Sequence, residues 1–265
     1  MGIVNLNWTE SEGVNPLMLF DNFLLGATVV TSPSSPGVVD ALTQSTYDAW
    51  TFNTPQTVTF DLGSAKEYSA LGIVGHNLSQ QEVSVQLFSS VDNSTFLPIN
   101  ATAHLITDKD TLLFVFNKRE TRYFRIVFIS GTSTGTFIRS LILGFPLEMP
   151  GGIAYGYTPI WLSQERELLV SKTMNGQFIG NRVVSKGAMT DIPLLSVERG
   201  FIEDDLQPFM EHYNEGKPFI FAGGPSIFNK DVAYVWRQDG AEMRPTFDQS
   251  GNWMSLTMSV EGYVQ

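Results

Sequence analysis

The sequence contains no cysteine in 265 residues. That absence excludes a disulfide framework, a cysteine zinc site, an iron–sulfur cluster and a thiol nucleophile. Histidine is nearly absent too. His76, His104 and His212 stand far apart and not at metal-ligand spacing, so each reads as a hydrogen-bonded or exposed structural histidine. Charged residues make up 16% of the chain, against about 25% in an average soluble domain. The charge leans acidic, with 16 Lys+Arg against 27 Asp+Glu and a formal net charge of −11. A nucleic-acid binder needs a basic face to displace counterions, so no nucleic-acid partner is expected. No long hydrophobic run exists either. The most apolar early stretch, residues 17–30, is broken by Asp21, Asn22 and Gly26 and is too short and polar to span a bilayer. Residues 1–8 have neither a basic region nor an apolar core, so no secretory signal is read there. Sequons beginning at Asn7, Asn77, Asn93 and Asn100 then read as chance products of an Asn-, Ser- and Thr-rich sequence. The expected compartment is a cytoplasm, or a particle assembled in one.

Hydrophobic residues are present at 43%, which supports a sizeable core and excludes global disorder. The strongest breakers, Met149-Pro150-Gly151-Gly152, follow an apolar stretch and predict a linker at 149–152 between a domain at 1–148 and another at 153–265. Residues 1–148 hold 7 basic and 13 acidic residues, and residues 149–265 hold 9 and 14, so neither half is a charged tail. The first half reads as all-β. Residues 57–62 and 83–89 alternate with the period of a half-buried strand, and 112–116, 123–129 and 137–143 are short apolar runs between turn residues. Strands of this length with Gly, Ser, Asn and Asp turns predict a sandwich or jelly roll. The second half predicts strands at 167–172, 178–184, 219–222, 232–236 and 253–260. It also predicts one amphipathic helix near 205–215, capped by Asp204 or Asp205, with Pro208 in its first turn and Gly216 at its end.

Motifs that carry chemistry are missing. There is no GxxxxGK[ST], HExxH, GxSxG or GxGxxG, so no enzyme activity and no cofactor are expected. The densest carboxylates, Glu203-Asp204-Asp205 with Glu211 and Glu215, read as a cap and a solvated helix face rather than a paired acid and base. Asp92, Asp108 and Asp110 lie in loops without the order of an EF-hand, so turns are favoured over calcium and no metal site is expected.

Five segments in the first half resemble the discoidin, or coagulation factor 5/8 type C-like, galactose-binding-like jelly roll, and stand in that family's order. They are Val39-Asp40-Ala41 leading to Tyr47-Asp48-Ala49-Trp50, then 59–63 (TFDLG), 88–96 (FSSVDNSTF), 121–126 (TRYFRI) and Phe137-Ile138 leading to Leu143-Gly144. Arg122 and Arg125 are placed to tie strand ends to carboxylates such as Asp61. The cysteines that bracket extracellular members are missing here, which points to microbial or viral relatives, and similar modules occur in tails of tailed bacteriophages. The second half, from 176–181 (GQFIGN) through 201–209 and 216–221 (GKPFIF) to Tyr234-Val235-Trp236, resembles the β-domains with one helix that build tail tubes and tail tips. The resemblance implies a mainly β protein of a phage tail tip or baseplate, found in the virion. Its partners would be other tail proteins and its own copies in a ring around the tail axis.

Two sets of residues are candidate sites. Tyr47, Trp50, His76 and Asn77 form a candidate glycan platform, since an aromatic face can stack on a pyranose; the competing reading is a buried Trp50 plugging the sandwich and a turn at His76-Asn77. Trp161, Phe228, Trp236 and Trp253 are candidate interface anchors or core, because interface centres are poor in charge and rich in aromatics. The alternative function is a carbohydrate-binding module for adsorption to a host surface.

Overall fold

A computed structural model describes all residues except 1, 10, 12, 31–36, 110, 131–133, 155, 228, 248–250 and 265, and for residue 185 the backbone only. The chain is mainly β. In chain order the strands are β1 (Ile3–Leu6), β2 (Leu17–Leu19), β3 (Thr28–Val29), β4 (Trp50–Phe52), β5 (Gln56–His76), β6 (Ser84–Ser90), β7 (Leu97–Pro98), β8 (His104–Leu105), β9 (Leu112–Ile129), β10 (Thr136–Gly144) and β11 (Leu147–Glu148). They continue with β12 (Gln164–Lys172), β13 (Phe178–Glu198), β14 (Phe219–Ala222), β15 (Val232–Arg237), β16 (Thr246–Phe247) and β17 (Trp253–Gly262). Contacts divide the chain into two units. The first holds Met1–Gly152 and Pro218–Tyr234; the second holds Ile153–Lys217 and Val235–Val264. Residues 218–234 therefore group with the first unit, because β14 pairs with β2.

In the first unit the strand order is β4-β10-β5-β9-β6-β7, with β1 parallel to β9, β3 on β5 and β8 on β6. The strand expected at 57–62 runs on through the apolar residues 71–74 as one bent strand, β5, and the runs at 112–116 and 123–129 belong to another, β9. Between them the register skips residues 62–65 and resumes with Lys66 opposite Thr121 and Glu67 opposite Glu120. Register shifts after Asp61 and Tyr68 bend the pair, which lets each long strand serve two layers of a sandwich. Val58, Phe60, Leu87, Phe124, Ile126 and Phe128 alternate into the core. The far half of β5 is buried on every residue, as expected of a strand covered on both faces: Ile220 of β14 closes on Gly72.

In the second unit β15, from Val235, pairs with β17, β17 pairs with the far half of β13, and β12 pairs with the near half of β13. Met254, Leu256, Met258 and Val260 of β17 point inward, as the alternation predicts. The helix differs from expectation. It runs directly out of β13 as an α-helical turn at Arg199–Phe201, widens to a π-helix over Ile202–Leu206 and continues as an α-helix over Gln207–Asn214. Asp204 and Asp205 thus cap nothing; they are exposed within the widened turn. An Arg199–Glu203 ion pair of 2.7 Å at i,i+4 supports the earlier start. Pro208 has no amide to donate, and the widened turn just before it accommodates that gap. Ile202, Leu206, Phe209 and Tyr213 form the buried stripe. Gly216 ends the helix in the left-handed conformation, donating its amide to Tyr213 O.

Candidate functional site

The glycan-platform residues meet at one end of the first unit's sheet. Ile138 of β10 pairs with Trp50 on one side and His76 on the other, so these two flank it in one row. Three of the four are buried, however. Trp50 is fully buried, stacked on Phe52 at 4.2 Å and edge-on to Phe128. His76 is fully buried and accepts the Leu78 amide on Nδ1. Asn77 accepts the Phe137 amide and donates to Gly135 O, which locks the turn before β10. These three are core and turn residues, so Trp50 has no face to offer a sugar.

Tyr47 is different: 87% of it is exposed. It sits on a loop whose carbonyls are tied down one after another. Ser140 Oγ donates to Thr43 O, Tyr234 Oη donates to Gln44 O, and Arg139 Nη1 donates to both Thr46 O and Tyr47 O at 2.8 Å. The result is an exposed ring on a fixed mount.

Arg122 forks onto Asp61, with Nε–Oδ1 2.7 Å and Nη2–Oδ2 2.8 Å, as the sequence suggests. That fork holds the Asp61 carboxyl below its ordinary range. Arg125 instead donates to Thr59 Oγ1 and lies 3.4 Å over the Phe96 ring. Asp92 folds its own turn, accepting from the Ser94 and Thr95 amides and from the Ser90 and Ser94 hydroxyls. Asp110 lies outside the described residues. Among the described residues no cluster of three or more His, Asp or Glu is arranged to hold a metal.

The second unit carries an exposed apolar surface. β12 and the near half of β13 form a two-stranded ribbon in which every residue of β12 is exposed. Large apolar side chains stand on it in water: Leu169 is 61% exposed, Phe178 and Ile179 65% each, and Leu168, Val170 and Val184 also lie open. Alternation and register place Leu168, Val170 and Val183 on one face and Leu169 with Arg182 on the other. At the ribbon's root lies an open groove of about 500 Å³ lined by Glu165, Lys186, Met189, Trp236, Glu261 and Tyr263. Of the candidate anchors, Trp161 and Trp253 are exposed, Trp236 is half-buried in the groove wall, and Phe228 lies outside the described residues. The ribbon's apolar residues are legible as strands in the sequence, but the run at 168–170 reads equally well as a buried strand. Only the fold shows that these residues are exposed.

No protein-family model matches the sequence, and no curated protein matches it. Solved structures similar to this chain include carbohydrate-binding modules. One is the CpGH89CBM32-6 module of Clostridium perfringens, at 18% identity and TM-score 0.38, with 46% of this chain covering 98% of that one. Another is CpGH89CBM32-5 of the same organism in complex with GalNAc-β-1,3-galactose, at 16% identity and TM-score 0.38, with 47% of this chain covering 99% of that one. A third, the CBM32 of AlyQ in complex with 4,5-unsaturated mannuronic acid, has 19% identity and TM-score 0.36, with 47% of this chain covering 95% of that one. None of these three is a tail protein, and each spans less than half of this chain.

Proposed function

We propose that the protein acts by assembly rather than catalysis, as a structural subunit of a phage tail tip or baseplate. The observation that carries the assembly reading is the ribbon. An isolated two-stranded ribbon is marginal in water, and contiguous exposed apolar surface marks an interaction site. A ribbon with Leu169, Phe178 and Ile179 in solvent needs a partner to cover it. The exposed Trp161 and Trp253 add aromatic anchors to the same unit. The sequence resemblance supports the finer placement in a tail tip, with the second unit around the tail axis and the first unit's sandwich turned to neighbouring proteins. Sedimentation and electron microscopy of the purified chain, with binding assays against the products of neighbouring genes, test this reading. A ring, or a stable complex with a tail component, is expected. A strict monomer at high concentration with no such affinity would overturn it.

A second reading, glycan recognition by the sandwich, is favoured by Tyr47, whose exposed ring is held on four tethered carbonyls. A fixed aromatic face stacks on a sugar without a large ordering cost. A glycan array tests it: retention is expected for the native chain and not for Tyr47→Ala. An array that retains nothing would remove this reading.

A further inference from the structure

The groove at the ribbon's root is built on one face of four neighbouring strands, β12, β13, β17 and β15. Their registers decide which side chains face it. Met189 of β13 is opposite Glu261 of β17, and Glu261 is opposite Trp236 of β15, so these three share a face in one row. Gly187 lies two residues from Met189, hence on the same face, and is opposite Glu165 of β12. Tyr263 stands just past the end of β17, two residues from Glu261. Gly187 is the floor: a Cβ added there would meet nothing within 4 Å, so its missing side chain leaves open space. Glu167 borders the groove from the Glu165 face of β12. Arg166 and Lys186 border it too, but they are opposite each other one residue out of step, and alternation turns both to the reverse face. The groove face thus sets the carboxylates of Glu165, Glu167 and Glu261 beside an indole, a phenol and a thioether. Glu165 and Glu261 make no ion pair among the described residues.

The make-up of that face selects a class of ligand. Carboxylates without counter-charge repel an anion and gain no charge attraction from a neutral ligand. They do not converge on a point either, since no cluster among the described residues is arranged to hold a metal ion. Carboxylates spread around aromatic and thioether walls suit a cation whose charge is diffuse and whose surface is apolar. A quaternary ammonium group is such a cation. Its methyl groups pack on Trp236, Tyr263 and Met189, and it has no N–H that must find an acceptor when desolvated. The groove's volume of about 500 Å³ is within the range of small-ligand sites. We propose that this groove binds a quaternary ammonium group, with Trp236 and Tyr263 as aromatic walls, Glu165 and Glu261 as counter-charge and Gly187 as floor. The site goes beyond the assembly reading and does not depend on it.

The test is a ligand-observed NMR titration of the full-length chain with choline, phosphocholine and dimethylbutanol, the uncharged carbon isostere of choline. Choline is expected to bind about tenfold more tightly than the isostere, and more weakly as salt rises. Phosphocholine separates the two sources of such a group: equal binding indicates a headgroup, weaker binding a free amine. Three variants are compared with the native chain, with Tyr47→Ala on the first unit as a control that binds choline like the native chain. Gly187→Val fills the floor and is expected to abolish binding. Glu261→Gln and Trp236→Leu are each expected to weaken it by about fivefold or more. Circular dichroism and the thermal midpoint report folding, and Gly187→Val is expected to preserve both because its Cβ enters open space. If Trp236→Leu unfolds, Gly187→Val and Glu261→Gln decide. Equal binding of choline and its isostere would overturn the proposal, as would no binding of either choline compound, or binding that survives Gly187→Val. None of these results bears on the sedimentation of the native chain, so the assembly reading stands or falls separately.

Discussion

Three tyrosine hydroxyls are held away from water by their own hydrogen bonds. Tyr213 Oη donates to Ser259 O at 2.7 Å, Tyr234 Oη to Gln44 O at 2.7 Å, and Tyr68 Oη is hydrogen-bonded to Thr121 Oγ1 at 2.5 Å. Burial pushes Tyr68 and Tyr213 up to about 12, and raises Tyr234 as well. Each folded value lies above the unfolded value of about 10. The stability these groups contribute is therefore full below that pH and drains as pH rises toward 12. A spectrophotometric phenolate titration should show these three ionising late, together with an alkaline loss of near-UV circular dichroism; early, reversible ionisation of all eight tyrosines would contradict it. Trp50 makes a second prediction at this scale. Its ring is fully buried and Nε1 has no acceptor among the described residues. Trp50→Ala should cost about 3–5 kcal/mol in urea unfolding. Trp50→Phe should cost about 1 kcal/mol, because it keeps the stacking on Phe52 and removes an unpaired donor. A glycan test therefore belongs at Tyr47, since Trp50→Ala would confound binding with folding.

At the scale of elements, the helix end is where local chemistry is most exposed to test. Gly216 sits at φ 74°, a region that costs any residue with a Cβ, and its amide and that of Lys217 close the last turn on Tyr213 O and His212 O. Gly216→Ala should destabilise the chain by about 1 kcal/mol, read as a lower urea midpoint with unchanged slope. This terminus was legible in the sequence because the rule for it is local: a glycine followed by a proline, after an apolar stripe. β6 and β17 were legible for the same reason, since strict alternation reports a strand with one buried face. The helix start was not, because it is set by the strand it leaves and by the room a widened turn gives Pro208, and neither has a local signature. The joining of two apolar runs into β5, and of two into β9, was also hidden. Their polar centres look like turns, yet the strands run on through them: residues 62–65 leave the register and Lys66 and Glu67 resume it opposite Thr121 and Glu120. For the candidate site, aromatic clustering points to the loop that carries an exposed ring but not to which ring is exposed. Tyr47 and Trp50 are three residues apart and equally suited to stacking in a list of residue types. Which one faces solvent is decided by β4 turning Trp50 under Phe52.

For the whole molecule, the breakers at 149–152 give no sign of a return that the contact division contains. β14 comes back from beyond the helix to pair with β2, setting Leu19 opposite Ile220, Met18 opposite Phe221 and Leu17 opposite Ala222, all six buried. Nothing near residue 150 signals this, because the pairing partner lies some seventy residues away and the strands are too short to show a period. The close fit around the return is specific: a Cβ on Gly72 would collide with Ile220, and one on Gly144 with the Asp21 carbonyl, so these strands approach where only glycine leaves room. A chain cut after Gly152 should therefore fail as an independent domain. It would leave the partner edge of β2 open and uncover the core side that Phe219, Ile220 and Phe221 fill. Each such side chain contributes about 1.5–3 kcal/mol of burial, and together they match a large part of the roughly 5–15 kcal/mol that holds a domain folded. The cut chain should collect in the insoluble fraction, or bind a hydrophobic dye with weak near-UV circular dichroism. A chain ending at 234, which retains β14 and the first unit's part of β15, should recover a cooperative transition for that unit. If the 1–152 chain instead unfolds cooperatively at the native urea midpoint, β14 is a cover strand the first unit can lose, and the two-unit division follows the sequence break after all.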